Sequence, residues 1–224
     1  MIARPAGGTS CRLAISAKGG TNAENHNHND VGSYAVALGS ETMVGDQGGP
    51  NSYPGDYFNG DAPQKYKIKG SFGHPVPVVD GRTQSSGGKA KGVVLQKEFT
   101  NEKDVFSIDY TSAYSTPNLD KLIRTFVYDR QGKGNFTVGD EFTAKTPIRF
   151  ETAITTRADW KVLDDTHLLL ATDSEQMIVA IDASGKVAFT SETIEVNSPA
   201  YTRIGIALKN QSKEGYIRLK MYTK

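Results

Sequence analysis

Leu122-Ile123-Arg124-Thr125-Phe126-Val127-Tyr128, the turn residues Asp129-Arg130-Gln131-Gly132, and then Phe136-Thr137-Val138-Gly139-Asp140-Glu141-Phe142 decide how the chain is to be read. Two short runs of β-branched and aromatic residues, alternating in character, flank a cluster of turn formers, as strands on a pleated, half-buried surface do. The same rhythm extends in both directions. Further strands are predicted at Cys11–Ser16, Tyr34–Leu38, Glu41–Gly45, Val76–Val79, Val93–Phe99 and Val105–Tyr110 before it. After it come Ile148–Thr155, His167–Ala171, Met177–Ile181, Val187–Thr190, Tyr201–Ala207 and Tyr216–Met221. No segment sustains a 3.6-residue period over ten positions, and the one short helix expected is near Pro117–Lys121. So many short strands at regular spacing imply an all-β fold: a large two-sheet antiparallel β-sandwich, formed by residues 1–224 as a single domain.

Two stretches interrupt the rhythm. Gln47–Pro75 is rich in Gly, Pro, Asn and Asp, yet carries Tyr53, Tyr57, Phe58, Tyr66 and Phe72. A loop of that length in a compact domain is usually functional, and its aromatics argue against disorder. Gly81–Lys91 has the composition of a mobile surface loop.

The composition excludes some functions. With 224 residues the chain can bury roughly 70% of its unfolded surface. Its formal net charge of +1, with both signs interspersed, gives no footprint for nucleic acid or for capture of a highly sulfated polyanion. Cys11 is the only cysteine, so neither a disulfide framework nor a cysteine metal site is available. No stretch approaches the roughly 20 apolar residues of a membrane helix, and Met1-Ile2-Ala3-Arg4-Pro5 lacks the apolar core of a signal peptide.

Chemistry concentrates in Glu24-Asn25-His26-Asn27-His28-Asn29-Asp30. On an extended backbone His26 and His28 share a face, because residues i and i+2 do. A neutral imidazole is a good zinc ligand, and a carboxylate with a further imidazole would complete three protein ligands. A hairpin turning at Gly39-Ser40 returns Asp46 alongside His28, and His74 comes back from the far end of the long loop. A metal on His28, Asp46 and His74 would tie that loop to the sheet. Plainer readings stand beside this one: exposed turn histidines, an ordinary Asp46-Gln47-Gly48-Gly49 turn, and His74-Pro75 as a loop end. His167, in an apolar run, reads as a core or edge residue. Glu41 is the first glutamate after His26-x-His28, too distant for the cupin metal motif.

Asn25-His26-Asn27-His28-Asn29-Asp30-Val31-Gly32-Ser33-Tyr34 resembles the His-x-His-Asn-Asp-x-Gly-Ser/Thr-Phe segment of heparinase II/III-like polysaccharide lyases. Val44-Gly45-Asp46-Gln47-Gly48-Gly49, then Tyr53, is similar to that family's strand ending in Asp-x-Gly with a tyrosine soon after. His74 and Val76–Gly81 fall where the family has His-Asn-x-Val…Asp-Gly, although here Pro75 replaces the asparagine. The resemblance covers about residues 8–82. It implies the C-terminal β-sandwich of a lyase whose N-terminal α/α-toroid domain lies outside this chain. It also implies a structural zinc on His28, Asp46 and His74, with His26 and a loop tyrosine, Tyr53 or secondarily Tyr57, bordering the cleft. The implied substrate is an acidic, uronate-containing polysaccharide or oligosaccharide, cleaved by β-elimination in the periplasm or outside the cell. Without the toroid no lyase activity is expected of the chain alone. A non-catalytic carbohydrate-binding module, stacking loop aromatics on sugar rings, is the alternative.

Overall fold

The computed structural model describes residues 1–45, 48–195 and 199–224. The first strands are β1 (Ile2–Ala3), β2 (Leu13–Ala17), β3 (Gly20–Asn22), β4 (Tyr34–Leu38) and β5 (Glu41–Val44). A long irregular stretch follows, containing the one-turn helix α1 (Ala62–Lys65) and a 3-10 turn at Ser71–Gly73. Next come β6 (Val78–Val79), β7 (Gly87–Phe99), β8 (Lys103–Asp109), β9 (Leu119–Asp129), β10 (Asn135–Ile148) and β11 (Phe150–Thr156). The last six are β12 (Asp159–Asp164), β13 (His167–Ala171), β14 (Gln176–Ala183), β15 (Val187–Ile194), β16 (Tyr201–Leu208) and β17 (Ser212–Thr223).

All the pairings are antiparallel, and the fold is the expected all-β sandwich. One layer is a nine-stranded sheet in the order β12-β13-β14-β17-β10-β9-β8-β7-β3. Where one facing sheet was expected there are two of four strands each, β1-β2-β4-β5 and β15-β16-β11-β6. They meet where Gly45 N donates to the Thr155 carbonyl (3.0 Å) and the Thr155 and Thr156 hydroxyls donate to Gly45 and Met43. The break comes from β5, which bulges against β4 between Val36 and Ala37 and so leaves the ladder early.

The quoted β9–β10 stretch forms the centre of the nine-stranded sheet, Phe126 lying opposite Val138. Leu122, Phe126 and Tyr128 of β9, with Phe136, Val138 and Phe142 of β10, face inward and are buried. Tyr34 of β4 packs against Phe126 and Phe136, and Phe142 stacks on Phe150 of β11 at 4.6 Å between centroids. These contacts join all three sheets in one hydrophobic core. A smaller cluster of Tyr57, Ile68, Ile194 and Tyr201 holds the long loop against the sheet of β15 and β16.

Two local expectations fail. The helix foreseen at Pro117–Lys121 is a turn closed by Leu119 N on the Thr116 carbonyl (3.1 Å), after which β9 begins. Leu119 and Leu122 are both buried there, and Pro117 has no N–H to give a helix. The short helix instead lies at Ala62–Lys65, with a proline in its first turn and Lys65 paired with Asp61. Finally, 81–91 is not all surface loop: β7 starts at Gly87, and Gln84 is buried.

Candidate functional site

The histidine-bearing segment hangs from a buried amide pair. Asn22, at the end of β3, donates through Nδ2 to Gln84 Oε1 (3.0 Å) and to the Ser85 carbonyl (2.9 Å), while its Oδ1 accepts Asp30 N (3.1 Å). Gln84 in turn brackets Val31, accepting its N–H (3.1 Å) and donating to its carbonyl (2.7 Å). Between these anchors Asn27 N closes on the Glu24 carbonyl (3.1 Å), and His26 sits in the left-handed region at φ 55°. That turn defeats the period-two expectation for His26 and His28. His26 is exposed and meets the Phe58 ring edge-on at 4.9 Å, whereas His28 turns toward Tyr57 and His74. A left-handed conformation is uncommon for a residue with a Cβ and recurs at functional turns.

His28 and His74 lie side by side, their ring centroids 5.2 Å apart and their planes 56° from parallel. His74 is 1% exposed and its Nε2 lies 3.0 Å from the Ile68 carbonyl. A carbonyl only accepts, so Nε2 carries the proton and Nδ1 is the basic nitrogen of the neutral ring. Orienting one ring nitrogen through a hydrogen bond on the other is the usual support of a metal-bound imidazole. Two imidazoles bound at about 2.0–2.1 Å to a tetrahedral ion have centroids about 5 Å apart, so this pair fits a shared metal. The third expected ligand, Asp46, lies outside the described residues, and among the described residues no cluster of three His, Cys, Asp or Glu side chains could hold an ion.

The long loop brings both expected tyrosines to this place. Tyr57 is 1% exposed; its hydroxyl is 3.3 Å from His28 Nε2, and its ring touches those of Tyr53, Phe58 and Tyr66 at 5.1–5.3 Å. Tyr53 is 57% exposed and lies over Tyr57 and Phe58. Asp56 ties the loop internally, accepting from Lys65 (2.8 Å) and from the Tyr66 hydroxyl (2.5 Å). Those bonds, Lys65's first, hold the Asp56 carboxyl below its usual range. Asn29 N donates to the Lys69 carbonyl (3.0 Å), joining the loop to the histidine segment. His26 and Phe58 border a pocket of about 360 Å³ between the two.

Beneath both segments sits a group that the sequence reading passed over. Arg124 is fully buried and grips Asp140 through Nε and Nη2, each at 2.7 Å. Its Nη1 donates to the carbonyls of Gly32 and Pro75, again at 2.7 Å each. One guanidinium therefore fixes the backbone four residues beyond His28 and one residue beyond His74. Asp140 is completed by the hydroxyls of Tyr110 and Thr152, both at 2.7 Å. Burial opposes the charge on Arg124, yet the adjoining carboxylate more than offsets it, so the pKa is raised. A signal existed: Arg124 and Asp140 occupy inward positions of β9 and β10 that otherwise hold Leu122, Phe126, Phe136 and Val138. For Lys69, in an irregular loop, no periodic pattern could have marked it.

No family model matches the sequence, and no curated protein matches it. Solved structures do. Heparinase III superposes over 99% of this chain and 35% of its own, with TM-score 0.74 and 18% identity. The heparan sulfate lyase HepC from Pedobacter heparinus matches over 95% of this chain and 33% of its own, with TM-score 0.72 and 14% identity. The chain thus spans about a third of the length of the solved structures it matches. In fold, this chain is a heparinase-like β-sandwich.

Proposed function

We propose that the chain is the β-sandwich part of a polysaccharide lyase that cleaves a uronate-containing glycan by β-elimination. The observation that carries this reading is the convergence of His26, His28, His74, Tyr53 and Tyr57 on one end of a heparinase-like sandwich. Elimination needs the uronate C6 carboxylate neutralised, the C5 proton taken by a base, and the leaving glycosidic oxygen protonated by an acid. His26 and Tyr53 reach the surface beside the pocket and are the groups placed to touch a polymer. Tyr57 is too buried to meet substrate and works through His28, whose Nε2 its hydroxyl faces. His28, Asp46 and His74 would hold a zinc ion, which supplies a tie between the long loop and the sheet. An α/α-toroid domain would close the other side of the cleft and handle the C6 carboxylate, and the setting is periplasmic or extracellular.

Ultraviolet absorbance of the 4,5-unsaturated uronate product, followed with the toroid domain present on heparan-type and alginate-type polymers, tests this. Turnover should fall at least a hundredfold in Tyr53→Phe or His26→Ala, the scale of a lost general acid or base. The exposed rings of Tyr53 and Phe58 also suit a carbohydrate-binding module. Saturable glycan binding with no unsaturated product from any uronate polymer would select that reading instead.

A further inference from the structure

Among the described residues, three lysine or arginine side chains are buried: Lys69, Arg124 and Arg203. Arg124 has Asp140 and Arg203 has Glu151, but among the described residues no carboxylate pairs with Lys69. Its Nζ donates to the Tyr57 carbonyl (2.5 Å) and lies 4.9 Å and 5.2 Å from the Tyr57 and Phe58 ring centroids. A carbonyl and two ring faces satisfy some of an ammonium's three donors and part of its charge. At 6% exposure the remaining cost is desolvation, which holds Lys69 below the ordinary lysine range. Burying a cation without a counter-charge is expensive, and such groups concentrate where an anion is bound.

Lys69 forms part of the wall of the 360 Å³ pocket beside His26 and Phe58. The rest of the wall is unusually rich in amides, among them Asn27, Asn29 and Asn59. Asn29 is already held by Ser86 Oγ (2.9 Å), so its amide is set in place before any ligand arrives. The one carboxylate on the wall, Glu24, is exposed and engaged by the Thr21 hydroxyl (3.1 Å). Fixed amides suit sugar hydroxyls, an aromatic ring face suits the C–H face of a pyranose, and a single buried ammonium suits one oxyanion.

We infer that Lys69 is the specificity-determining cation of this pocket, which takes one sugar unit through its carboxylate or sulfate group. The anion preference stands on the pocket alone, while the choice of a sugar rests on the lyase reading above.

The test is binding to the full chain of three probes: methyl glucuronide, glucose 6-sulfate and methyl glucoside. Amide and Lys69 side-chain resonances report where each binds. The charged probes should bind about tenfold tighter than the neutral one, the size of one charge-assisted hydrogen bond. Their relative affinities tell carboxylate from sulfate. Lys69→Met should abolish that preference while keeping weak sugar binding, and Lys69→Arg should retain it. A circular dichroism melt within a few degrees of wild type would show Lys69→Met to be folded. If it is not, the wild-type Lys69 shifts decide by themselves. Equal binding of charged and neutral probes, or no shift at Lys69 with any of them, overturns the inference. Selective binding here, with no unsaturated product from any uronate polymer when the toroid domain is present, would instead sink the lyase reading and leave the anion site standing.

Discussion

Two buried polar assemblies near the histidine segment are built on opposite logic. Around Arg124 every charge meets its counterpart within the protein: the guanidinium has Asp140, and Asp140 has Tyr110 and Thr152. At the loop end, imidazole lies against imidazole, and the Lys69 ammonium lies against ring faces. The first arrangement is complete as a piece of fold. The second is where the proposals above place an outside partner, and it leans on the first, which holds the backbone at Gly32 and Pro75. On those proposals, stability and recognition fall to neighbouring but distinct sets of side chains.

The comparison breaks most visibly if Arg124 proves dispensable. Removing one member of a buried ion pair leaves the other charge stranded, so Arg124→Met or Asp140→Ala should each cost about 3–5 kcal/mol in urea unfolding. The double variant Arg124→Met/Asp140→Leu should recover much of that loss. A single-variant cost under about 1 kcal/mol would place the pair with ordinary surface salt bridges. Tyr57→Phe sharpens the contrast from the other side. Losing one hydroxyl contact should cost only about 0.5–1.5 kcal/mol, with the marked change at the His28 ring resonances and not in global unfolding.

Alkali separates the assemblies as well. Burial raises the pKa values of Tyr34, Tyr110 and Tyr114 in the core. Because their folded values exceed the unfolded value, the stability they contribute is fully present below pH about 10 and lost as pH rises past it. Tyrosinate absorbance from these residues should therefore appear together with unfolding. The smallest effect is expected at an exposed turn remote from both assemblies. The Thr166 N–H first, and then His167, hold the Asp164 carboxyl down at about 2. Its small contribution is present above pH about 4 and lost as pH falls toward 2, so Asp164→Asn should alter acid unfolding only slightly.

What the sequence revealed follows the same division. Tyr34–Leu38 and His167–Ala171 were legible to the residue, because alternation there coincides with burial. β12 was not: Asp159–Asp164 is a mostly exposed edge strand, and without a buried face its pattern carries no period. At the site, the meeting of His28 and His74 was legible from the family motif and the return of the long loop, while the hairpin reading concerned Asp46, outside the described residues. The divergence of His26 was not, since a left-handed turn at a histidine leaves no mark in residue type. Lys69 and Gln84 owe their roles to long-range packing that no local window contains.

The central claim is that the loop end is completed by a ligand shared between the histidine segment and the long loop. Elemental analysis of the purified chain, beside His28→Ala, His74→Ala and Asp46→Ala, tests it most directly. The account predicts about one zinc per wild-type chain, lost in all three variants. No zinc in the wild type even after soaking, or full retention in His28→Ala and His74→Ala, would contradict it.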